Sequence, residues 1–210
     1  MRRLLRKIAR TVMIGLSYLY PYKLSCRIKA EKSYLYTQWI KRFIGYLGEN
    51  TSIGYPCILQ GNLKSITLGQ GTRIQPNAII ECWSKFGADE FNPSITIGND
   101  CNIGEFCHLS AINNITIGDG LLTGRFVYIG DNSHGGLSLE EANIRPEERK
   151  LLSKGKIVIG TNVWIGDKVT ILGGVSIGNN VVIGANTVVT HDIPSDCIFA
   201  GNPAREVKRL

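Results

Sequence analysis

Three histidines, at 108, 134 and 191, are the side chains in this 210-residue chain whose type suits proton transfer near neutral pH. His134 stands in Gly130-Asp131-Asn132-Ser133-His134-Gly135-Gly136, where a regular stretch gives way to a long polar one. An imidazole at such a junction could act as a general base, taking the proton from a hydroxyl as its oxygen attacks an electrophile. Asp131 or a backbone carbonyl could hold the other ring nitrogen and fix the tautomer. The plainer reading of His134 is a solvent-facing loop histidine. No Cys-His or Ser-His pair has a spacing that supports a covalent intermediate, and no Cys-x-x-Cys pair suggests zinc.

The residues that must position such a base follow an unusual rhythm. From Ile159 an aliphatic residue returns at every sixth place through Ile165, Ile171, Ile177 and Ile183 to Val189. Val or Thr stands four places after most anchors, and Gly follows most of them. Six is neither the helical period nor a two-residue alternation. It fits a short strand and a sharp corner, three of which make one triangular coil of about 18 residues in a parallel β-helix. The anchors point inward and pack on those of the coils above and below. Corners need residues that tolerate positive φ, which Gly and Asn supply. The same count begins at Ile53-Gly54 and runs on through Ile66 to Ile80. It breaks at 83–93, resumes at Ile95, and starts late at Ile115, so that a bulge is expected near Ala111–Asn114. A polar break at 132–156 cannot continue a prism wall, and a long insertion in a strict repeat is usually functional.

This pattern resembles the hexapeptide-repeat acyltransferases, whose fold is an all-β, left-handed parallel β-helix solenoid. The hand is implied by the resemblance alone, since parallel crossovers are otherwise right-handed. Asn162-Val163-Trp164-Ile165-Gly166, Thr190-His191-Asp192-Ile193-Pro194 and Ala200-Gly201-Asn202-Pro203-Ala204-Arg205 are similar to the maltose/galactoside O-acetyltransferase branch. The resemblance implies an acetyl-CoA-dependent O-acetyltransferase acting on a sugar or saccharide precursor. In that branch a histidine opening the long loop is the base, which places the role on His134, although the branch commonly has His-Pro where this chain has His134-Gly135. Trp164 points outward between inward neighbours and would line the groove for the pantetheine arm, with Ala185 and Thr190 beside it. Arg205 and Lys208, from a neighbouring chain, would meet the coenzyme phosphates; a solvated tail charge is the alternative for Arg205. His108, Asn113 and Asp131 are the candidate acceptor contacts, with an outward surface histidine as the alternative for His108. His191 is expected at the surface or near the coenzyme phosphates. The resemblance also implies a homotrimer, with donor and sugar meeting in a groove between two subunits and no metal. Three other readings stay open: N-acetylation of an amino-sugar, a non-catalytic structural solenoid, and a γ-class carbonic anhydrase. The last needs two zinc-binding histidines about five residues apart, which this chain lacks.

Composition is consistent with a single globular unit having a buried core. Net charge is +7, and much of the basic excess lies at the N-terminus, in Arg2, Arg3, Arg6, Lys7 and Arg10. An anionic partner follows, either a phosphorylated small molecule or a phospholipid surface; no aromatic-basic pattern points to nucleic acid. Residues 1–47 are expected as a basic amphipathic helical segment, serving as a cap over the solenoid's open end or lying on a membrane surface. The apolar run 11–22 is too short to span a bilayer and lacks a cleavage site. Coils are expected over 48–199, and a C-terminal tail over 200–210. Cys57, Cys101 and Cys107 fall in slots that want a small buried residue, so free thiols and a cytoplasmic setting are expected, with contact at the inner face of the membrane left open.

Overall fold

The computed structural model describes residues 1–136 and 138–209; Leu137, within the expected loop 132–156, and Leu210, at the end of the expected tail, lie outside the described residues. Three parallel sheets form the walls of a prism, and the chain visits them in turn. The first wall runs from Tyr46–Leu47 through Ser94–Ile97 and Ile157–Ile159 to Ser176–Ile177. The second begins at Ser52–Ile53 and passes through Trp164–Ile165 and Val181–Ile183 to Cys197–Ala200. The third runs from Ile58–Gly61 through His108–Ala111 and Tyr128–Gly130 to Val188–Val189.

Strict hexads give the upper coils a repeat of 18 residues, with Ile165 paired to Ile183 and Ile171 to Val189. Lower coils are longer: Ile80 pairs with Leu109, Ile97 with Ile117, and Ile117 with Ile159. The surplus leaves the prism at one place each time, the edge between the third and first walls. The short 3-10 turn Leu63–Ser65, the loop 83–93, the bulge at 112–113 and the long insertion 132–156 all lie there.

The inward anchors form one continuous core: Ile53, Ile80, Leu109, Ile129, Ile165 and Ile171 are all wholly buried. Burying each aliphatic side chain contributes about 1.5–3 kcal/mol. Cys101 and Cys107 are buried in this core, as are Cys82 and Cys197; Cys57 is half-buried, Cys26 exposed, and all six are free. At the edge between the first and second walls, Asn162, Asn180 and Asp196 adopt left-handed φ of 54°, 54° and 60° and stack, with Asn180 Nδ2 donating to Asp196 Oδ1 at 2.8 Å. Gly160 has no room for a side chain, since a Cβ would lie 2.4 Å from Asn179 Oδ1.

Both ends of the stack are covered. Helix α1 (Arg2–Leu19) leads into α2 (Tyr22–Ile40), and α2 lies against the lowest coil. Thr37 and Ile40 are buried there, and Thr37 Oγ1 accepts from Ile53 N at 2.9 Å. Ser33 Oγ accepts from Tyr55 N at 3.0 Å, so α2 serves backbone donors that a further coil would otherwise meet. At the top, the residues expected as a tail form a strand instead. Arg205–Arg209 pairs antiparallel with Cys197–Ala200 and closes the second wall. α1 buries no residue, and no helix among the described residues is long and apolar enough to cross a membrane.

Candidate functional site

Strand Tyr128–Gly130 delivers the chain to the edge where the third wall meets the first. Asp131 anchors the exit. Its carboxylate accepts from Ile112 N at 2.8 Å and Asn113 N at 3.0 Å, the two amides freed by the bulge one coil below. It is 1% exposed, and burial raises its pKa against the opposing pull of those hydrogen bonds. Asn132 Nδ2 donates to Ser110 O at 3.0 Å, locking the next residue to the same coil.

The long insertion then folds as an arm. Ser133–His134 pairs antiparallel with Leu151–Leu152, placing His134 opposite Leu151. Between them, Ser138 Oγ accepts from Glu141 N at 3.2 Å to cap the short helix Leu139–Ala142. Glu141 in turn accepts from Gly136 N at 2.7 Å. The loop 83–93 two coils lower rises to meet this arm as a hairpin of Lys85–Phe86 and Asp89–Glu90. The Phe86 ring meets the His134 ring in a T-shaped contact, with centroids 5.4 Å apart, and Lys150 Nζ lies 3.5 Å from Asp89. Arm and coil enclose a cleft of about 500 Å³ lined by His134, Arg149, Leu152, Lys154, Leu172 and Gly173, among others. His134 is exposed to it. Arg149 donates from Nε to Ile144 O at 3.0 Å, and among the described residues neither Arg149 nor Lys154 pairs with a carboxylate.

The expected residues divide into groups. Asp131 lies in the cleft lining beside His134, but its carboxylate accepts from backbone amides and makes no hydrogen bond to the His134 ring. This corrects the reading of Asp131 as the group that fixes the His134 tautomer. Among the described residues nothing hydrogen-bonds the His134 ring, and the aromatic contact from Phe86 stands there instead. Asn113 does not line the cleft. It shares a separate hollow with Phe91, Asn92 and Leu151, with Nδ2 3.4 Å from Ser153 Oγ. His108 stands on the outer face of the third wall, its Nε2 2.9 Å from Glu81 and its ring edge-on to Tyr128, and it also lies outside the cleft lining. Thr190 follows Val189 at the same edge as the cleft, above Leu172, and His191 Nδ1 lies 3.2 Å from its hydroxyl.

Trp164 is 55% exposed on the second wall, between Leu122 below and Val182 above. Ala185 occupies the exposed corner just beyond that wall, packed over Gly166. Arg205 lies on the strand that closes the wall. In a triangular prism, the edge between the third and first walls is opposite the second wall. His134 and Trp164 therefore lie on opposite sides of one chain, and Trp164 does not line the His134 cleft.

Phe86, Arg149 and Lys154 were not singled out by the sequence reading. The signal lay in the coil count: both interruptions follow a third-wall strand, so their loops must share an edge. Among the described residues no three His, Cys, Asp or Glu side chains converge as a metal-binding group.

Stacked hexads build the prism, and an arm carrying a histidine projects from one of its edges. The family model for the bacterial transferase hexapeptide (six repeats) matches residues 156–191. A protein of Escherichia coli K12, provisionally named a lipopolysaccharide biosynthesis O-acetyl transferase (WbbJ), is 33% identical over 167 residues, covering 75% of this chain and 78% of its own. The N-acyltransferase AntD of Bacillus cereus, solved with dTDP and 3-hydroxybutyryl-CoA, superposes with a TM-score of 0.65 at 21% identity, covering 82% of this chain and 86% of its own. A maltose O-acetyltransferase from Clostridium difficile 630 gives 0.52 at 25% identity, over 82% of this chain and 73% of its own. The chain belongs to the hexapeptide-repeat acyltransferases, and its prism is the left-handed β-helix of that family.

Proposed function

We propose that the protein is an acetyl-CoA-dependent O-acetyltransferase that acetylates a hydroxyl of a sugar or saccharide precursor. The observation that carries this reading is the exposed imidazole of His134 on a folded arm, over a cleft large enough for a sugar. The acceptor hydroxyl enters that cleft, and His134 takes its proton as the oxygen attacks the thioester carbonyl. The carbon–sulfur bond then breaks, and the imidazolium returns the proton to the departing thiolate. Phe86 restricts the imidazole by contact, a role that Asp131 does not fill. Arg149 and Lys154 favour an acceptor that carries an anionic group.

The donor site lies on the second wall. Trp164 offers an apolar surface, Ala185 leaves a corner uncrowded, and Arg205 supplies a cation suited to the phosphate end. Since that wall is opposite the arm, the active site forms between copies, with His134 from one and Trp164 from the next, in a homotrimer. The name of the WbbJ relative supports an acceptor from lipopolysaccharide biosynthesis. The six free cysteines and the need for a coenzyme A donor support a cytoplasmic setting.

The test is release of free coenzyme A thiol from acetyl-CoA across a panel of neutral and acidic saccharides, with hydroxyl or amine acceptors. His134→Ala should lower the rate by about 10²–10⁴. An unchanged rate in that variant would remove the base, and turnover confined to amine acceptors would make the enzyme an N-acetyltransferase.

A further inference from the structure

Helix α1 buries nothing, yet its sequence is sorted by side. At 100° per residue, Leu4, Leu5, Ile8, Val12, Leu16 and Leu19 fall within an arc of about 120°. Arg2, Arg3, Arg6, Lys7 and Arg10 lie on the opposite side, which Met13 and Ile14 join further along the helix, and every residue of the apolar arc is exposed. A water-facing helix has no use for six aliphatic side chains on one stripe.

The charge distribution identifies what covers that stripe. The first 30 residues contain eight Lys or Arg and no Asp or Glu; the rest of the chain holds the other sixteen of the 24 against all 17 acidic residues. The whole net charge of +7 is therefore carried by the helical segment, and the prism itself is nearly neutral. Self-association of α1 would bring cationic flanks together with no acidic residue on the helix to oppose them. A surface that is apolar beneath and anionic at its boundary matches both sides of the helix at once. Tyr18, Tyr20 and Tyr22, exposed where α1 meets α2, are the amphipathic side chains that settle at such a boundary.

We infer that α1 lies in the plane of an anionic phospholipid surface, its aliphatic stripe among the acyl chains and its arginines among the phosphates. With 18 residues it extends about 27 Å along that surface. α2, fixed to the lowest coil through Thr37 and Ile40, then holds the prism to the membrane. This inference does not depend on the catalytic assignment.

The experiment is co-sedimentation of the full chain with vesicles, either pure phosphatidylcholine or the same lipid with about one-third phosphatidylglycerol. Binding should be at least about tenfold stronger on the anionic vesicles and should weaken with added salt. The Ile8→Glu/Val12→Glu variant should lose at least about tenfold, while Ile8→Leu retains binding. Arg3→Gln/Arg6→Gln/Arg10→Gln should abolish the preference for anionic lipid. Thermal unfolding of the prism should match wild type in every variant, because α1 contributes no buried residue. Failure to sediment with anionic vesicles would overturn the inference. Equal binding to both vesicle types would also overturn it, as would a change of oligomer mass in the Ile8→Glu/Val12→Glu variant, which would mark α1 as a subunit contact.

Discussion

If His134 and Trp164 meet only across a subunit joint, two inactive variants should repair each other. His134→Ala removes the base, and Trp164→Ala removes the proposed donor surface. Covering the exposed 55% of the indole is worth up to about 3 kcal/mol, or roughly a hundredfold in kcat/KM, so the second variant is nearly silent at low acetyl-CoA. Co-expressing the two with different affinity tags and purifying through both tags retains only mixed trimers. Each such trimer, whether two-to-one or one-to-two, contains a single joint that unites an intact His134 with an intact Trp164. The purified mixture should therefore show about one third of wild-type kcat/KM. Activity no higher than the mean of the two parents, in material that sediments as mixed trimers, would refute the reasoning. It would mean that the imidazole and the indole never share a site.

Two further outcomes follow from the buried groups. Asp131→Ala strands the amides of Ile112 and Asn113, each bonded to a carboxylate; allowing for the relieved cost of burying the charge, unfolding in urea at fixed protomer concentration should register a loss of about 2–4 kcal/mol. Asp131→Asn should lose less, and an Asp131→Ala loss below about 0.5 kcal/mol would deny the capping role. Among the thiols, burial pushes Cys57 up to about 12 and Cys82 up to about 11, and it raises Cys101 and Cys107 as well. A disulfide reagent at about pH 7.5 should titrate one fast thiol, Cys26, in the native protein and all six after denaturation; a second fast thiol would contradict the packing.

The prism was legible because its signal is geometric. An aliphatic residue every sixth position can satisfy only a wall that turns a corner at that interval, and Ile159 to Val189 holds the count without a miss. Even the bulge near Ala111–Asn114 could be placed, since Ile115 arrives two residues late. What the bulge required was not legible: its freed amides are served by Asp131, nearly a full coil later in sequence. The same limit hid Phe86 and Glu81, whose partners His134 and His108 are neighbours only through coil stacking. Arg205–Arg209 misled for another reason. Five exposed residues, four of them charged, carry no apolar pattern, and the strand they form pairs antiparallel with Cys197–Ala200.

Every length of chain beyond the 18-residue repeat leaves through one edge of the prism. The two other edges keep an unbroken register, so the ladder that holds the molecule together never registers what is hung on the third. A lineage built on this plan can lengthen, shorten or exchange what projects there, and so change which molecule it grips, while the rungs that keep it folded stay as they are. Recognition and foldedness are thereby free to evolve on separate schedules.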